Sequence, residues 1–427
     1  MTPQQRHQQR QARRSFILMM IVLCFLFGQS QMHRTSGSVI ATDLTASFGL
    51  TGAALGSVLG ALFLGAAAAQ IPVGLLYDRY GARKVTPICT LLAVVGAALF
   101  AIADDEGTFA ISRFLIGVGF TSAWTGAFVT LNGWVSGRQY SRMMSVVAAS
   151  GVFTGLLGTA PLAYAFAHVG REAVFLAFAA LAMLGAVLSW IFVADRPPGS
   201  PAVAGAPATL GESIRGMADV LRHPAMPRLA LLAFVVFSPM MMFVGSWAGP
   251  YLRDVHGLEA GARGEFLLLM TLGTNLGLTV YGPVENYFRS QRALVVASGL
   301  VVVAMIAGLV CFAGGSLWIA GPFLVLIAAF GPFYIVFLVH CRAFFPDHLM
   351  GRALSVINLL GILGTTTMQP ALGAVIGAFT DANGIASADG YRFAFGLQGV
   401  LILVALLIYR PLPDAPPKAE TGANRPA

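Results

Sequence analysis

Arg34 is the first residue in the chain whose type and position offer chemistry. It belongs to the run Gln29-Ser30-Gln31-Met32-His33-Arg34-Thr35-Ser36, which continues an apolar segment beginning at Phe16. At about 1.5 Å of rise per helical residue it lies about 27 Å from Phe16, in the far half of a bilayer core about 30 Å thick. A guanidinium there can grip a carboxylate through two parallel hydrogen bonds. It can also snorkel to the outer interface, or hold a neighbouring helix through an ion pair. His33 titrates near neutral pH as a free side chain and suits a coupling proton; donation to a packed carbonyl is the other reading. Adjacent helical positions point about 100° apart, so His33 and Arg34 need not meet one ligand.

A second cation lies in the apolar stretch ISRFLIGVGFTSAW. Arg113, Gly117, Phe120 or Thr121, and Trp124 recur there at helical spacing. Arg113 is either a second cavity cation or a donor to helix carbonyls. Later apolar runs carry Trp247, Asn275, Tyr334, His340, Asn358, Thr365 and Gln369. Aromatics can wall a ligand site while amides and hydroxyls orient the ligand; the same groups also bond between helices. No Asp or Glu falls at the centre of an apolar run, since Asp43 and Glu285 sit near helix ends. The buried charge is therefore positive, and the expected partner is a small organic anion, a carboxylate above all. Gln31, His33, Arg34, Arg113, Trp124, Trp247, Tyr334 and Asn358 form the expected substrate-binding set. The four cysteines have no metal-ligand or redox spacing, and no G-x-x-x-x-G-K-[ST] loop is present. No catalytic residue, metal or cofactor is expected, and the chain does not read as an enzyme.

These residues must be held by membrane helices. The 427 residues are 57% hydrophobic and 10% charged, too apolar for a soluble domain. The net charge of +8 is scattered at the ends of apolar runs and forms no nucleic-acid patch. The basic start resembles a signal peptide, but GQSQMHRTSGSV is a poor cleavage region, so the first helix is expected to be retained. Twelve spans are expected: 16–41, 48–76, 85–103, 108–134, 143–166, 172–194, 228–251, 264–284, 293–313, 316–341, 350–379 and 393–410. With both termini in the cytoplasm, twenty of the 26 Lys and Arg residues fall inside. Arg171, Arg253, Arg263 and Arg392 fall outside, and Arg34 and Arg113 lie within spans, a strong positive-inside bias. A multi-pass protein of the bacterial inner membrane follows. Residues 195–227 begin as the Pro-rich linker DRPPGSPAVAGAPAT. They continue as an amphipathic segment with Leu210, Ile214, Met217 and Leu221 on one stripe. The chain thus divides into a tail (1–15), a first six-helix bundle (16–194), the linker (195–227), a second bundle (228–410) and a tail (411–427).

Between the second and third spans stands GLLYDRYGARK at Gly74–Lys84. Gly74 permits close helix approach, Gly81 a tight turn, and Asp78, Arg79, Arg83 and Lys84 demand a loop outside hydrocarbon. The segment closely resembles the loop 2–3 signature of the major facilitator superfamily, G-x-L-x-D-R-x-G-x-R-K. The resemblance implies an all-α fold of twelve transmembrane helices in two pseudo-symmetric bundles, with Gly74, Asp78, Arg79, Gly81, Arg83 and Lys84 in gating. R-F-L-I-G-V-G resembles that family's fourth-helix R-x-x-x-G-x-G motif. Gly282–Arg292 repeats the loop's position in the second half, with Asn286 for Asp78 and Arg289 for Gly81. The family's cavity is lined by helices 1, 7 and 10, which favours Arg34, Trp247 and Tyr334. The fifth helix loosely resembles the antiporter G-x-x-x-G-P region, but Leu156 follows Gly155 where that motif has proline.

The expected function is secondary active or facilitative transport of a small organic anion by alternating access. The expected carrier is monomeric, with a coupling proton or a counter-substrate left open. Proton-coupled efflux of hydrophobic or amphipathic compounds is the first alternative. A non-transporting membrane assembly or sensory protein is the second.

Overall fold

An apolar chain in lipid must satisfy its backbone internally, and helices do so residue by residue. The computed structural model describes residues 3–135, 137–197, 210–285, 287–288, 290–345, 347–382 and 384–414. Among these, ten helical stretches are long and apolar enough to cross a bilayer. Arg142–Leu157 is a shorter apolar helix.

The first bundle contains α1 (Pro3–Thr35), α2 (Gly37–Phe48), α3 (Gly52–Tyr80), α4 (Ala82–Ile102), α5 (Glu106–Trp134), α6 (Gly137–Leu157) and α7 (Ala160–Phe192). After α8 (Leu210–Leu221), the second begins with α9 (Met226–Val236), a π-helical stretch (Pro239–Trp247) and α10 (Ala248–Asp254). It continues with α11 (Ala260–Glu285), α12 (Gln291–Phe312), α13 (Leu317–Phe330), α14 (Tyr334–Cys341), α15 (Asp347–Gly377) and α16 (Ala388–Tyr409). The bundles meet along a seam in which α3 packs on α15, α7 on α11, and α2 on the π-helical stretch and α10.

Several expected spans are interrupted, each for a local reason. The first pauses at Ser36, whose hydroxyl donates to the His33 carbonyl at 3.0 Å, and resumes as α2. The fifth breaks at Gly158 and Thr159, where α1 comes so close that a Cβ on Gly158 would lie 2.3 Å from Thr35 Oγ1. α7 then carries the end of the fifth expected span and all but the last residues of the sixth, turning at Gly170 with φ of 81°. Pro239 opens the π-helical stretch and Pro332 a short 3-10 turn between α13 and α14, because neither proline can donate the next helical bond. The linker helix forms as α8, with Met217 packed against the core, Val220 buried and Leu221 exposed. The side chains of Leu210 and Ile214, residues 198–209, Asn286, Arg289 and residues 415–427 lie outside what is described.

The end of the molecule holding Phe48, Gly52 and Gly377 is called distal; the end holding Tyr80 and Ala82 is proximal. The seam is tight distally. A Cβ on Gly56 would come within 2.4 Å of the Gln369 carbonyl, and one on Gly37 within 2.0 Å of the Gly245 carbonyl. Ser38 Oγ donates across the seam to the Val244 carbonyl at 2.8 Å. The glycine contacts between bundles continue along α3 only as far as Gly60, which faces Thr366. Gly74, proximal on the same helix, has no neighbour among the described residues within 4 Å of a Cβ position.

Candidate functional site

Arg34 closes the last turn of α1, where the tight part of the seam begins. Its side chain is partly exposed. The guanidinium carbon lies 5.8 Å from the centre of the Phe63 ring, and Tyr334 of the opposite bundle stands within electrostatic reach. The ion pairs among the described residues are Arg171–Asp43, Arg253–Asp254 and Arg392–Asp389. None engages Arg34. A charge held at membrane depth costs about 2.5–3.5 kcal/mol on insertion scales, and such residues normally face a partner or a wet cavity.

Around it the sequence-selected residues fall into two groups. Gln31, Trp124, Tyr334 and Asn358 keep some exposure, as Arg34 does. Phe27 joins two of them: its ring stands 4.9 Å from Trp124, and both Phe27 and Gln31 fill the space beside Gly151 on α6. Tyr334 packs its ring 4.6 Å from Phe237, so aromatic surface continues into the second bundle. Nothing in the geometry joins Asn358 to the others.

His33, Arg113 and Trp247 form the buried group, each about 1% exposed. His33 points into the first bundle, against Phe120 at 5.3 Å and Phe178 at 4.9 Å. Arg113 donates from a terminal guanidinium nitrogen to the His33 carbonyl at 3.3 Å. His33 Nδ1 and Arg113 Nε are buried with no hydrogen-bond partner. A void of about 10 Å³ is lined by Ser30, His33, Arg34 and Phe120 among others. Trp247 donates its indole N–H to Gln369 Oε1 at 2.9 Å, and Gln369 donates to Ser246 Oγ at 2.7 Å. His340 bonds the Tyr409 hydroxyl and, through Nε2, the Pro413 carbonyl at 3.2 Å.

A larger cavity of about 180 Å³ opens distally between α2, α7 and α11, lined by Ser38, Thr42, Asp43 and Arg263 among others. The sequence offered little sign of it, because Asp43 and Arg263 are far apart in the chain.

At the proximal loop, Tyr77 is buried and its hydroxyl bridges Thr86 Oγ1 and the Ser122 carbonyl, each at 2.9 Å, tying α3 to α4 and α5. Gly81 turns the chain with φ of 76°. A side chain there would also strike Asp195, whose carboxylate accepts from the Ala82 amide at 2.5 Å and the Arg83 amide at 3.2 Å. Arg79, Arg83 and Lys84 are exposed. The backbone of Asp78 is helical; its side chain lies outside what is described. Sequence reasoning missed Asp195, which it assigned to a free linker.

The sequence matches the family model described as Major Facilitator Superfamily over residues 18–367. It is 22% identical over 301 residues to a probable sulfoacetate transporter of Cupriavidus necator, a match covering 68% of this chain and 70% of that protein. It is 24% identical over 243 residues to a multidrug resistance protein of Escherichia coli, covering 56% and 58%. Its fold is similar to the crystal structure of a bacterial homologue of the human lysosomal transporter Spinster. The TM-score is 0.73 at 16% identity, over 92% of this chain and 95% of that one.

Proposed function

The chain belongs to the Major Facilitator Superfamily and is a carrier of a small molecule across a lipid bilayer, not an enzyme, and from that premise we propose that its cargo is a small organic anion, a carboxylate above all. The observation that carries this reading is the Arg34 guanidinium, set between the bundles with no carboxylate paired to it among the described residues. An anion arriving there gains a charge-assisted, bidentate contact that the protein itself leaves unmade. The Tyr334 hydroxyl adds a donor from the other bundle, so one ligand engages both halves. Gln31 and Trp124 complete the contact set. His33 and Arg113 act behind it, holding the turn of α1 that presents Arg34. The likeness to a probable sulfoacetate transporter, whose named cargo is itself an organic anion, supports the same class.

Transport proceeds by alternating access between two six-helix halves, residues 16–194 and 228–410, with both termini in the cytoplasm of a bacterium and the protein in its inner membrane. With that orientation, twenty of 26 basic residues in the sequence fall on the cytoplasmic side, a bias that supports it. α11, with 26 residues, and the broken fifth helix supply the two spans beyond the ten that qualify by length and composition. The glycine-tight distal seam and the uncrowded Gly74 support a state open to the cytoplasm. Gly74, Asp78, Arg79, Gly81, Arg83 and Lys84 govern the proximal gate.

The aromatic surface of Phe27, Phe63, Trp124, Phe237 and Tyr334 favours a second reading, efflux of amphipathic compounds, as does the likeness to a multidrug resistance protein. Purified protein in liposomes, offered carboxylates, sulfonates and amphipathic cations in turn, separates the two. The anion reading expects counterflow of an anion that Arg34→Ala abolishes. Uptake of amphipathic cations insensitive to Arg34 would establish efflux instead.

A further inference from the structure

The last helix of each bundle is followed by the same short pattern, D-x-P-P, and the aspartates of the two copies do the same thing. Asp195-Arg196-Pro197-Pro198 follows α7, and Asp414-Ala415-Pro416-Pro417 follows α16. In the first bundle the Asp195 carboxylate accepts from the amides of Ala82 and Arg83, at the start of α4. In the second the Asp414 carboxylate accepts from the Arg292 amide at 3.2 Å, at the start of α12. α4 and α12 occupy equivalent places, each following a copy of the proximal loop.

The match extends one residue back. The carbonyl before Asp195, on Ala194, accepts from the Trp134 indole N–H at 2.6 Å. The carbonyl before Asp414, on Pro413, is bonded by His340 Nε2 at 3.2 Å. Trp134 ends α5 and His340 stands one residue from the end of α14, again equivalent helices. Each bundle therefore ties three proximal ends together through one aspartate and the carbonyl preceding it. The second copy adds a bond from Arg292 to the Leu412 carbonyl at 3.0 Å. Side-chain acceptors at helix N-termini satisfy amides that have no intrahelical partner, and a carboxylate also complements the helix dipole.

We infer that Asp195 and Asp414 are a matched pair of positioning residues, each clasping the proximal ends of its bundle so that the bundle moves as one body when the gate opens and closes. This rests on the alternating-access reading. It does not depend on which cargo is carried. Neither aspartate touches substrate; each acts through the helix start it caps. The clasp also accounts for the Gly81 position, because Asp195 occupies the space a side chain would need.

Hydrogen exchange of the purified full chain in lipid nanodiscs tests the clasp without any substrate. Asp195→Ala should speed exchange of the Ala82 and Arg83 amides on the order of fivefold, and Asp414→Ala should do the same at Arg292. Asp195→Asn and Asp414→Asn, which keep a capping oxygen, should stay near the parent. In liposomes the Ala variants should lower turnover with KM for the transported anion unchanged within about twofold, and the Asn variants should restore it. Unchanged exchange in the Ala variants, or Asn variants as fast as Ala, overturns the inference. Should an Ala variant fail to insert, Asn and Ser variants carry the test, since both must keep the amides protected. If the exchange results hold while no anion is transported, the clasp stands and the cargo assignment fails.

Discussion

Arg113 reaches from α5 to the backbone of His33 on α1, donating to its carbonyl at 3.3 Å. The residue next to Arg34 is thus fixed by a second cation that turns away from the seam. Its burial at 1% exposure, without a carboxylate, means that the bond to His33 offsets little of its desolvation. Arg113→Gln keeps a donor without the charge and should retain most of the thermal stability. Arg113→Ala removes one of the two side-chain donors to the His33 carbonyl, leaving Ser36, and opens a cavity, and should cost about 1–3 kcal/mol, read as a lowered Tm in detergent.

The distal seam makes a geometric prediction. A Cβ at Gly56 would lie 2.4 Å from the Gln369 carbonyl, a contact backbone cannot yield to cheaply. Gly56→Val should prevent distal closure and shift the molecule toward a state open at that end. Spin-label distances between the distal ends of α3 and α15 should lengthen by several ångströms, a displacement characteristic of gate opening. Unchanged distances would show that the seam accommodates the side chain without opening.

Trp247 extends the same logic into the second bundle. Its indole N–H donates to Gln369, which in turn donates to Ser246. Trp247→Phe should leave Gln369 Oε1 without that donor and cost about 1–3 kcal/mol of stability. Anion affinity should change little, because Trp247 is buried in packing; isothermal titration reads the affinity and the Tm in detergent reads the stability.

Most of the architecture was legible in the sequence because apolar runs and basic turns are direct consequences of the bilayer. The expected bounds of α4, α12 and α16 lie within a few residues of those observed. What escaped was geometry that depends on distant parts of the chain. Nothing local in Gly158 announces that Thr35 approaches it, so the fifth span was read as continuous. His33 and Arg34 are neighbours in sequence, yet one is enclosed by Phe120 and Phe178 while the other borders the seam. Periodicity gives the angle between them but not which face is interior. Asp195 looked like the first residue of a flexible linker because its partners, Ala82 and Arg83, lie more than a hundred positions away.

The central claim is that Arg34 is the counter-charge for an anionic cargo, and counterflow in proteoliposomes tests it most directly. A panel of small carboxylates and sulfonates should yield at least one exchanged anion. Arg34→Lys should weaken its apparent affinity about tenfold or more, because a lysine offers charge without the two-pronged fork. Arg34→Ala should abolish exchange while the purified variant keeps its fold. Anion exchange that proceeds at parental affinity in both variants would contradict the account.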